Sequence, residues 1–168
     1  STSINIDTTD NRNMPTEGYS LAIASSFAGL GGDKEFLSIN NNANYYKSFN
    51  EESIILNVGY DAGVIIGLDQ DILISDRYFL GGNSFRGFDQ SGLGPRDSNN
   101  SDSLGGNLFY TGSIKASFGI GLPPELGVKG NWFATAGSLT GIDKSSVSYN
   151  DDASIRLSSG VGISWNSP

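Results

Sequence analysis

The side chains that carry a charge in this sequence are carboxylates, arginines and lysines, because its 168 residues include neither cysteine nor histidine. A thiol nucleophile, a histidine base and a Cys/His metal site are therefore excluded for this stretch. The paired carboxylates Glu51-Glu52 and Asp151-Asp152 lie in predicted turns without a partner base. Residues 97–102 offer oxygen ligands, but they lack an EF-hand pattern. We therefore predict no catalytic residue, no metal site and no cofactor.

The residue that we single out is Arg86, which lies in residues 63–105, the longest part of the chain without a predicted strand. Loops beyond about 12–15 residues are uncommon in compact domains and are usually functional or disordered. Disordered linkers are poor in aromatic residues, whereas this loop contains Tyr78, Phe79, Phe85 and Phe88. We predict that the loop packs against the rest of the domain.

The segments around this loop alternate apolar and polar residues with period two, as β-strands do. Seven such segments are predicted in up-and-down order: 1–10, 19–28, 36–47, 53–62, 106–118, 128–137 and 155–165. One face of each is mainly apolar, and the other is small, polar or charged. Short turns near Pro15, Asn50 and Pro123 alternate with longer loops near Gly31, within residues 63–105 and near Ser145.

Alternation alone does not separate a soluble β-sandwich from a transmembrane β-barrel. The alternating short and long connections, the aromatic residues near strand ends and strands of about 9–11 residues favour the barrel. The net charge of −8 argues against a nucleic-acid partner. The predicted fold class is all-β, an antiparallel up-and-down transmembrane β-barrel, with residues 1–168 as one partial barrel domain.

Four motifs of the loop resemble the signature of the outer-membrane β-barrel assembly family, the BamA-like proteins of bacterial surface antigen type. They are Phe79-Leu-Gly-Gly82, Phe85-Arg-Gly-Phe88, Gly94-Pro-Arg-Asp97 and Leu104-Gly-Gly-Asn107. Asp10 to Gly18 resembles the family turn D-x-R-x-x-P-x-x-G, and residues 29–33 and 165–168 also fit. The motifs occur in the family order across essentially the whole chain.

This resemblance implies a C-terminal barrel fragment with about seven of sixteen strands and a long loop that folds back into the lumen. The N-terminal POTRA domains of the family and its remaining strands lie outside the sequence. The implied function is non-enzymatic folding and insertion of β-barrel proteins into the bacterial outer membrane. The implied partners are unfolded outer-membrane β-barrel proteins, accessory lipoproteins of an assembly complex and membrane lipid.

The resemblance also assigns roles to individual residues of the loop. The motif Phe85, Arg86, Gly87 and Phe88 holds the loop in the lumen, where the arginine pairs with acidic side chains of nearby strands. The family's acidic positions carry Lys115 and Thr135 here, so we expect Asp61 or Asp89 to pair with Arg86 instead. The residues expected to support the loop are Gly81, Gly82, Gly94, Pro95, Arg96, Asp97, Gly105, Gly106 and Asn107.

Several other functions remain open at this point. Within the same superfamily, they are a mitochondrial sorting-and-assembly barrel and a protein-secretion transporter. The motifs ending at Asp97, Asn107 and Pro168 favour the assembly type over the transporter. The alternatives of a different class are a passive pore and a soluble β-sandwich that serves in adhesion.

Overall fold

The computed structural model describes residues 1–29, 35–50, 53–68, 70–123, 126–143 and 148–165. The expectations at Glu51-Glu52, at residues 30–34 and 144–147, and at residues 166–168 lie outside these ranges. The strands in the described residues are, in chain order, β1 (Thr2–Asp7), β2 (Gly18–Ala28), β3 (Phe36–Phe49), β4 (Ile54–Gly67), β5 (Arg96–Asp97), β6 (Leu108–Gly119), β7 (Val128–Thr140), β8 (Tyr149–Asn150) and β9 (Arg156–Trp165).

Seven strands form one antiparallel sheet in the order β1-β2-β3-β4-β6-β7-β9. This order confirms the predicted all-β, up-and-down arrangement. The strands β5 and β8 pair separately as a two-stranded ribbon. A 3-10 turn covers Ile74–Asp76. Within the described residues, no helix is long and apolar enough to span a bilayer.

The two faces of the sheet have opposite chemistry, as the alternation predicts. Tyr45 lies opposite Val58, Val58 opposite Ile114, and Ile114 opposite Ala134, so one apolar row crosses four strands. We call this side of the sheet the apolar face. Its large side chains are open to the surroundings, among them Tyr19, Ile23, Phe27, Ile39, Tyr45, Val58, Tyr60, Tyr110, Ile114, Trp132, Leu157, Val161 and Trp165.

The other side, which we call the polar face, carries a matching row of small and polar residues. This row runs through Asn44, Gly59, Ser113, Thr135 and Ser158 on consecutive strands. The packed core lies on this side, between the sheet and the long loop. Its buried members are Leu80, Phe85 and Leu93 from the loop and Phe109 and Leu139 from the sheet.

The predicted start of the long loop at residue 63 is wrong, because β4 continues to Gly67. Residues 63–67 pair with residues 36–40 of β3. Gly63 does not end the strand. A Cβ there would lie 2.5 Å from the Phe109 ring and 2.9 Å from the Tyr78 ring, so the glycine admits two aromatic side chains. The loop therefore covers residues 68–107, and it contains the short strand β5, which the sequence analysis did not predict.

Candidate functional site

The long loop is joined at its two ends before it crosses the polar face. The backbones of Tyr78 and Gly106 exchange two hydrogen bonds of 2.9 and 3.0 Å. The Arg77 guanidinium donates to the carbonyl oxygens of Ile72 and Leu104 at 3.0 and 3.2 Å. These contacts close the ends of the loop, so its middle is presented as a compact unit.

Side chains of the strands then hold this closed loop against the sheet. The Tyr78 hydroxyl donates to Asn40 Oδ1 at 2.9 Å, on the polar face of β3. Asp143, which follows β7, accepts from the Ile72 backbone N–H at 2.7 Å and from Asn107 Nδ2 at 3.0 Å. Asn107, one of the predicted supporting residues, thus contacts the connection that follows β7 directly.

Residues 81–94 form a tight turn around Phe85. Gly81 has a φ of +140°, and a Cβ at this position would overlap the Asp89 carbonyl oxygen. The Ser84 hydroxyl donates to the Gly81 carbonyl at 2.9 Å, and the Gly82 N–H donates to the Phe88 carbonyl at 2.9 Å. The backbone of this turn therefore depends on glycine, which adopts positive φ without a Cβ clash.

Phe85 packs the turn onto the sheet. Its side chain is fully buried in the core cluster, and its ring meets the Phe88 ring edge to face at 5.3 Å. Gly94 has a φ of +94°, and a Cβ there would lie 2.7 Å from the Leu139 side chain. The turn and β7 therefore approach too closely for a larger residue at position 94.

The remaining predicted supporting residues follow the turn along the chain. Pro95 is fully buried. Arg96 donates to the carbonyl oxygens of Ser91, Gly92 and Ser101 at 2.9 to 3.3 Å. The Asp97 carboxylate accepts from the Asn99 N–H at 2.7 Å. A Cβ at Gly105 would lie 2.8 Å from the Tyr78 carbonyl oxygen, and a Cβ at Gly106 would lie 2.8 Å from Leu139.

Arg86 projects from the turn onto the polar face of β7. Its guanidinium carbon lies 5.4 Å from the centroid of the Phe133 ring, within the range of a cation–π interaction. The next residue, Gly87, approaches β9, where a Cβ would lie 3.2 Å from Ser158 Cβ. The motif thus lies over the two last strands of the sheet.

The expected ion pair of Arg86 with Asp61 or Asp89 is not formed among the described residues of this structure. The described residues contain ion pairs between Lys47 and Glu17 and between Arg156 and Asp152, but none of Arg86. Asp61 lies on β4, two strands away from β7. Asp89 is part of the turn, where its carbonyl accepts from the Gly92 N–H at 2.8 Å. The aromatic ring of Phe133 takes the place of a carboxylate.

Phe133 is the site residue that the sequence analysis missed. It lies on the polar face between Asn131 and Thr135, where an aromatic residue interrupts a polar row. That interruption is the signal that could have identified it. Phe133 pairs with Lys115 on β6 and with Gly160 on β9. Lys115 therefore lies next to the ring that holds Arg86.

A cavity of about 190 Å³ remains between the turn and the sheet. Its lining includes three charged residues, Asp61, Arg86 and Lys115, together with the hydroxyls of Ser113 and Thr135. In the described part of the chain, no group of three or more acidic, histidine or cysteine side chains is arranged to hold a metal ion. The cavity is therefore lined by charged and polar groups of both signs.

At the opposite end of the strands, the turn between β1 and β2 is organised by Asp10. Its carboxylate accepts from the backbone N–H groups of Thr16 and Glu17 at 2.9 and 3.0 Å and from the Thr16 hydroxyl at 2.7 Å. These hydrogen bonds, first of all the one from Glu17, lower the pKa of Asp10 from 3.8 to about 2. Gly18, with a φ of +102°, completes the turn beside the Thr8 backbone.

The fold and the site together define one wall of an up-and-down β-barrel, with a glycine-rich arginine loop folded onto its polar face. The family model that matches residues 1–168 is described as the Omp85 superfamily domain. The chain belongs to the Omp85 superfamily. The polar face is accordingly the lumen side of the barrel.

Relatives are found in bacteria and in eukaryotes. The chain is 39% identical over 160 residues to the outer membrane protein assembly factor BamA of Neorickettsia risticii, covering 95% of the chain and 21% of that relative. It is 26% identical over 170 residues to the human sorting and assembly machinery component 50 homolog, covering 94% of the chain and 36% of that relative. The chain thus spans only about a fifth to a third of these proteins.

A solved structure has the same fold. The crystal structure of BamA from Haemophilus ducreyi lacking POTRA domains 1–3 matches with a TM-score of 0.84 at 19% sequence identity. The match covers 99% of this chain and 36% of that chain.

Proposed function

We propose that the full-length protein folds and inserts β-barrel proteins into the bacterial outer membrane, and that this chain is the part of its barrel that holds the lumen loop. The observation that carries the proposal is the 39% identity to a bacterial protein named as an outer membrane protein assembly factor. The loop that packs against Phe133 supports it, because the loop occupies the polar side of the wall, whereas the lumen of a porin is a water-filled channel.

The sheet has the dimensions and surface that this location requires. Six of its seven strands have 10 to 14 residues, and about 9–11 residues suffice for a tilted strand to cross a bilayer. The apolar face exposes the aromatic side chains of Tyr45, Trp132 and Trp165. Apolar and aromatic side chains face the lipid in transmembrane barrels, and we propose membrane lipid as the partner of this face.

The proposed activity uses backbone hydrogen bonds rather than catalytic residues or a cofactor. An unfolded substrate strand adds to an exposed sheet edge, which supplies a row of unpaired N–H and C=O groups. We propose unfolded outer-membrane β-barrel proteins as substrates and lipoproteins as accessory subunits. In this proposal, the wall described here is the part of the barrel to which the lumen loop is attached, through Phe85 and Arg86.

A mitochondrial sorting-and-assembly role is the second candidate. Its support is the set of relatives named sorting and assembly machinery component 50 homolog, at 26–31% identity. The higher identity to the Neorickettsia protein favours the bacterial role.

The test is an assembly assay with the full-length protein in liposomes. A urea-unfolded outer-membrane β-barrel protein is added, and its folding is followed by heat-modifiable gel mobility and protease protection. We expect faster folding than in empty liposomes, and slower folding with Arg86→Ala than with the wild type. Ion conductance without any acceleration of folding would instead identify a passive pore.

A further inference from the structure

The inference concerns Lys115, which lies beside Arg86 on the polar face. Arg86 stacks over Phe133, and Lys115 is the cross-strand partner of Phe133 on β6. Side chains of directly paired residues on one face have Cβ atoms about 4.5–5.5 Å apart. Lys115 therefore lies beside the ring that Arg86 contacts, and both cationic residues line the cavity of about 190 Å³.

These two cations have no anionic partner within the described residues. Arg86 contacts the Phe133 ring, and neither cation forms an ion pair with a described carboxylate. The carboxylate of Asp61 lines the same cavity, but it lies opposite Thr111. Thr111 is four residues from Lys115 along β6, about 13 Å at the rise of a strand. Like charges so placed repel each other unless an anion lies between them.

The cavity has the donors and the size for such an anion. The guanidinium and the ammonium supply charge-assisted hydrogen bonds, which are roughly twice as strong as neutral ones. The hydroxyls of Ser113 and Thr135, which are cross-strand partners, add two neutral donors on the cavity wall. The cavity volume of about 190 Å³ is several times the roughly 30 Å³ that one water molecule occupies in the liquid.

We propose that Arg86 and Lys115 bind one oxyanion together, a carboxylate or phosphate group, between the lumen loop and the barrel wall. The anion bridges the loop to β6 and so adds a second attachment beside the Phe133 contact. Two sources share this chemistry: a free inorganic oxyanion, or an acidic side chain from a part of the full-length protein outside this chain. The proposal needs only the fold, and it does not depend on assembly activity.

The test measures the melting temperature of the full-length protein in detergent at pH 7, in sodium chloride and in sodium phosphate of equal ionic strength. The variants are Lys115→Gln, Lys115→Arg and the control Lys129→Gln. Lys129 lies on the same face of the neighbouring strand β7 but lines a different cavity. Gel mobility after heating reports the folded barrel.

A free oxyanion predicts that phosphate raises the melting temperature of the wild type, Lys115→Arg and Lys129→Gln by about 2 °C, and leaves that of Lys115→Gln unchanged. An acidic side chain predicts no phosphate effect, but a lower melting temperature of Lys115→Gln already in chloride. The proposal is overturned if phosphate has no effect and Lys115→Gln is as stable as the wild type or more stable, because the two cations then merely repel each other. An equal phosphate response in Lys115→Gln and the control would also refute the site.

Discussion

The ring of Phe133 lies over Gly160, its partner on β9, at a separation that leaves no room for a side chain. A Cβ at Gly160 would lie 2.8 Å from two atoms of that ring. The glycine therefore lets the ring lean across β9 and present a face to the Arg86 guanidinium. The contact of Arg86 with the barrel wall therefore depends on Gly160.

Replacement of Gly160 by alanine should destabilise the full-length protein and free the loop. The added methyl group forces the Phe133 ring to move, and overpacking of this kind costs about 1–3 kcal/mol. The measurement is urea denaturation, followed by tryptophan fluorescence. The matched control is Gly162→Ala on the same face of β9, where nothing lies within 4 Å of an added Cβ. Equal effects of the two substitutions would contradict the role of the Phe133–Gly160 contact.

A double-mutant cycle between Arg86 and Phe133 should measure their interaction directly. We expect a coupling energy of about 0.5–1 kcal/mol between Arg86→Ala and Phe133→Leu, as for cation–π pairs at exposed sites. The reference cycle combines Arg86→Ala with Phe118→Leu, since Phe118 lies on the apolar face. A coupling energy near zero in the first cycle would show that the stacking contributes nothing.

Truncation of Phe85 should be the most damaging change in the loop. Phe85 is fully buried, whereas Phe88 packs against the cluster from its margin. A buried Phe→Ala substitution costs about 3–5 kcal/mol, so Phe85→Ala should lower the free energy of unfolding far more than Phe88→Ala. Limited proteolysis of residues 81–94 provides the second readout. Similar losses in both variants would indicate that Phe85 is not the anchor of the turn.

The β1–β2 turn should weaken in acid through Asp10. The pKa of this carboxyl is lowered in the folded state from 3.8 to about 2. The ionised carboxylate thus stabilises the fold above the unfolded pKa, and that contribution is lost as the pH falls from about 4 through about 2. Denaturation curves at pH 5, 4, 3 and 2 should therefore converge for the wild type and Asp10→Asn. A constant difference between them across this range would exclude the titration of Asp10 as its origin.

The strand order and the two faces could be predicted from the sequence because a period-two pattern is local and repeats in every strand. The alternation of Leu37 and Ile39 with Ser38 and Asn40 already assigns the faces of β3. The end of β4 could not be predicted in this way. Gly63 resembles a strand break, and its purpose is visible only when Phe109 and Tyr78 are seen to occupy the space above it.

The partner of Arg86 could not be derived from the sequence for a related reason. The sequence predicts a carboxylate partner for this cation, Asp61 or Asp89, because opposite charges stabilise each other. The actual contact depends on the register of β7, which places Phe133 under the turn, and on Gly160, which admits the ring. Both conditions arise from residues far apart in the chain, so neither is visible in any local pattern.

The β5–β8 ribbon joins the long loop to the connection that leads into β9. Arg96 pairs with Asn150 and Asp97 with Tyr149, and the Ser98 N–H donates to the Ser148 carbonyl at 3.0 Å. The connection that leads into β9 is thereby clamped to the same segment that ends the Phe85 turn. The lumen loop is thereby attached to the sheet at two separate places, through Phe85 on β6 and β7 and through this ribbon on the connection before β9.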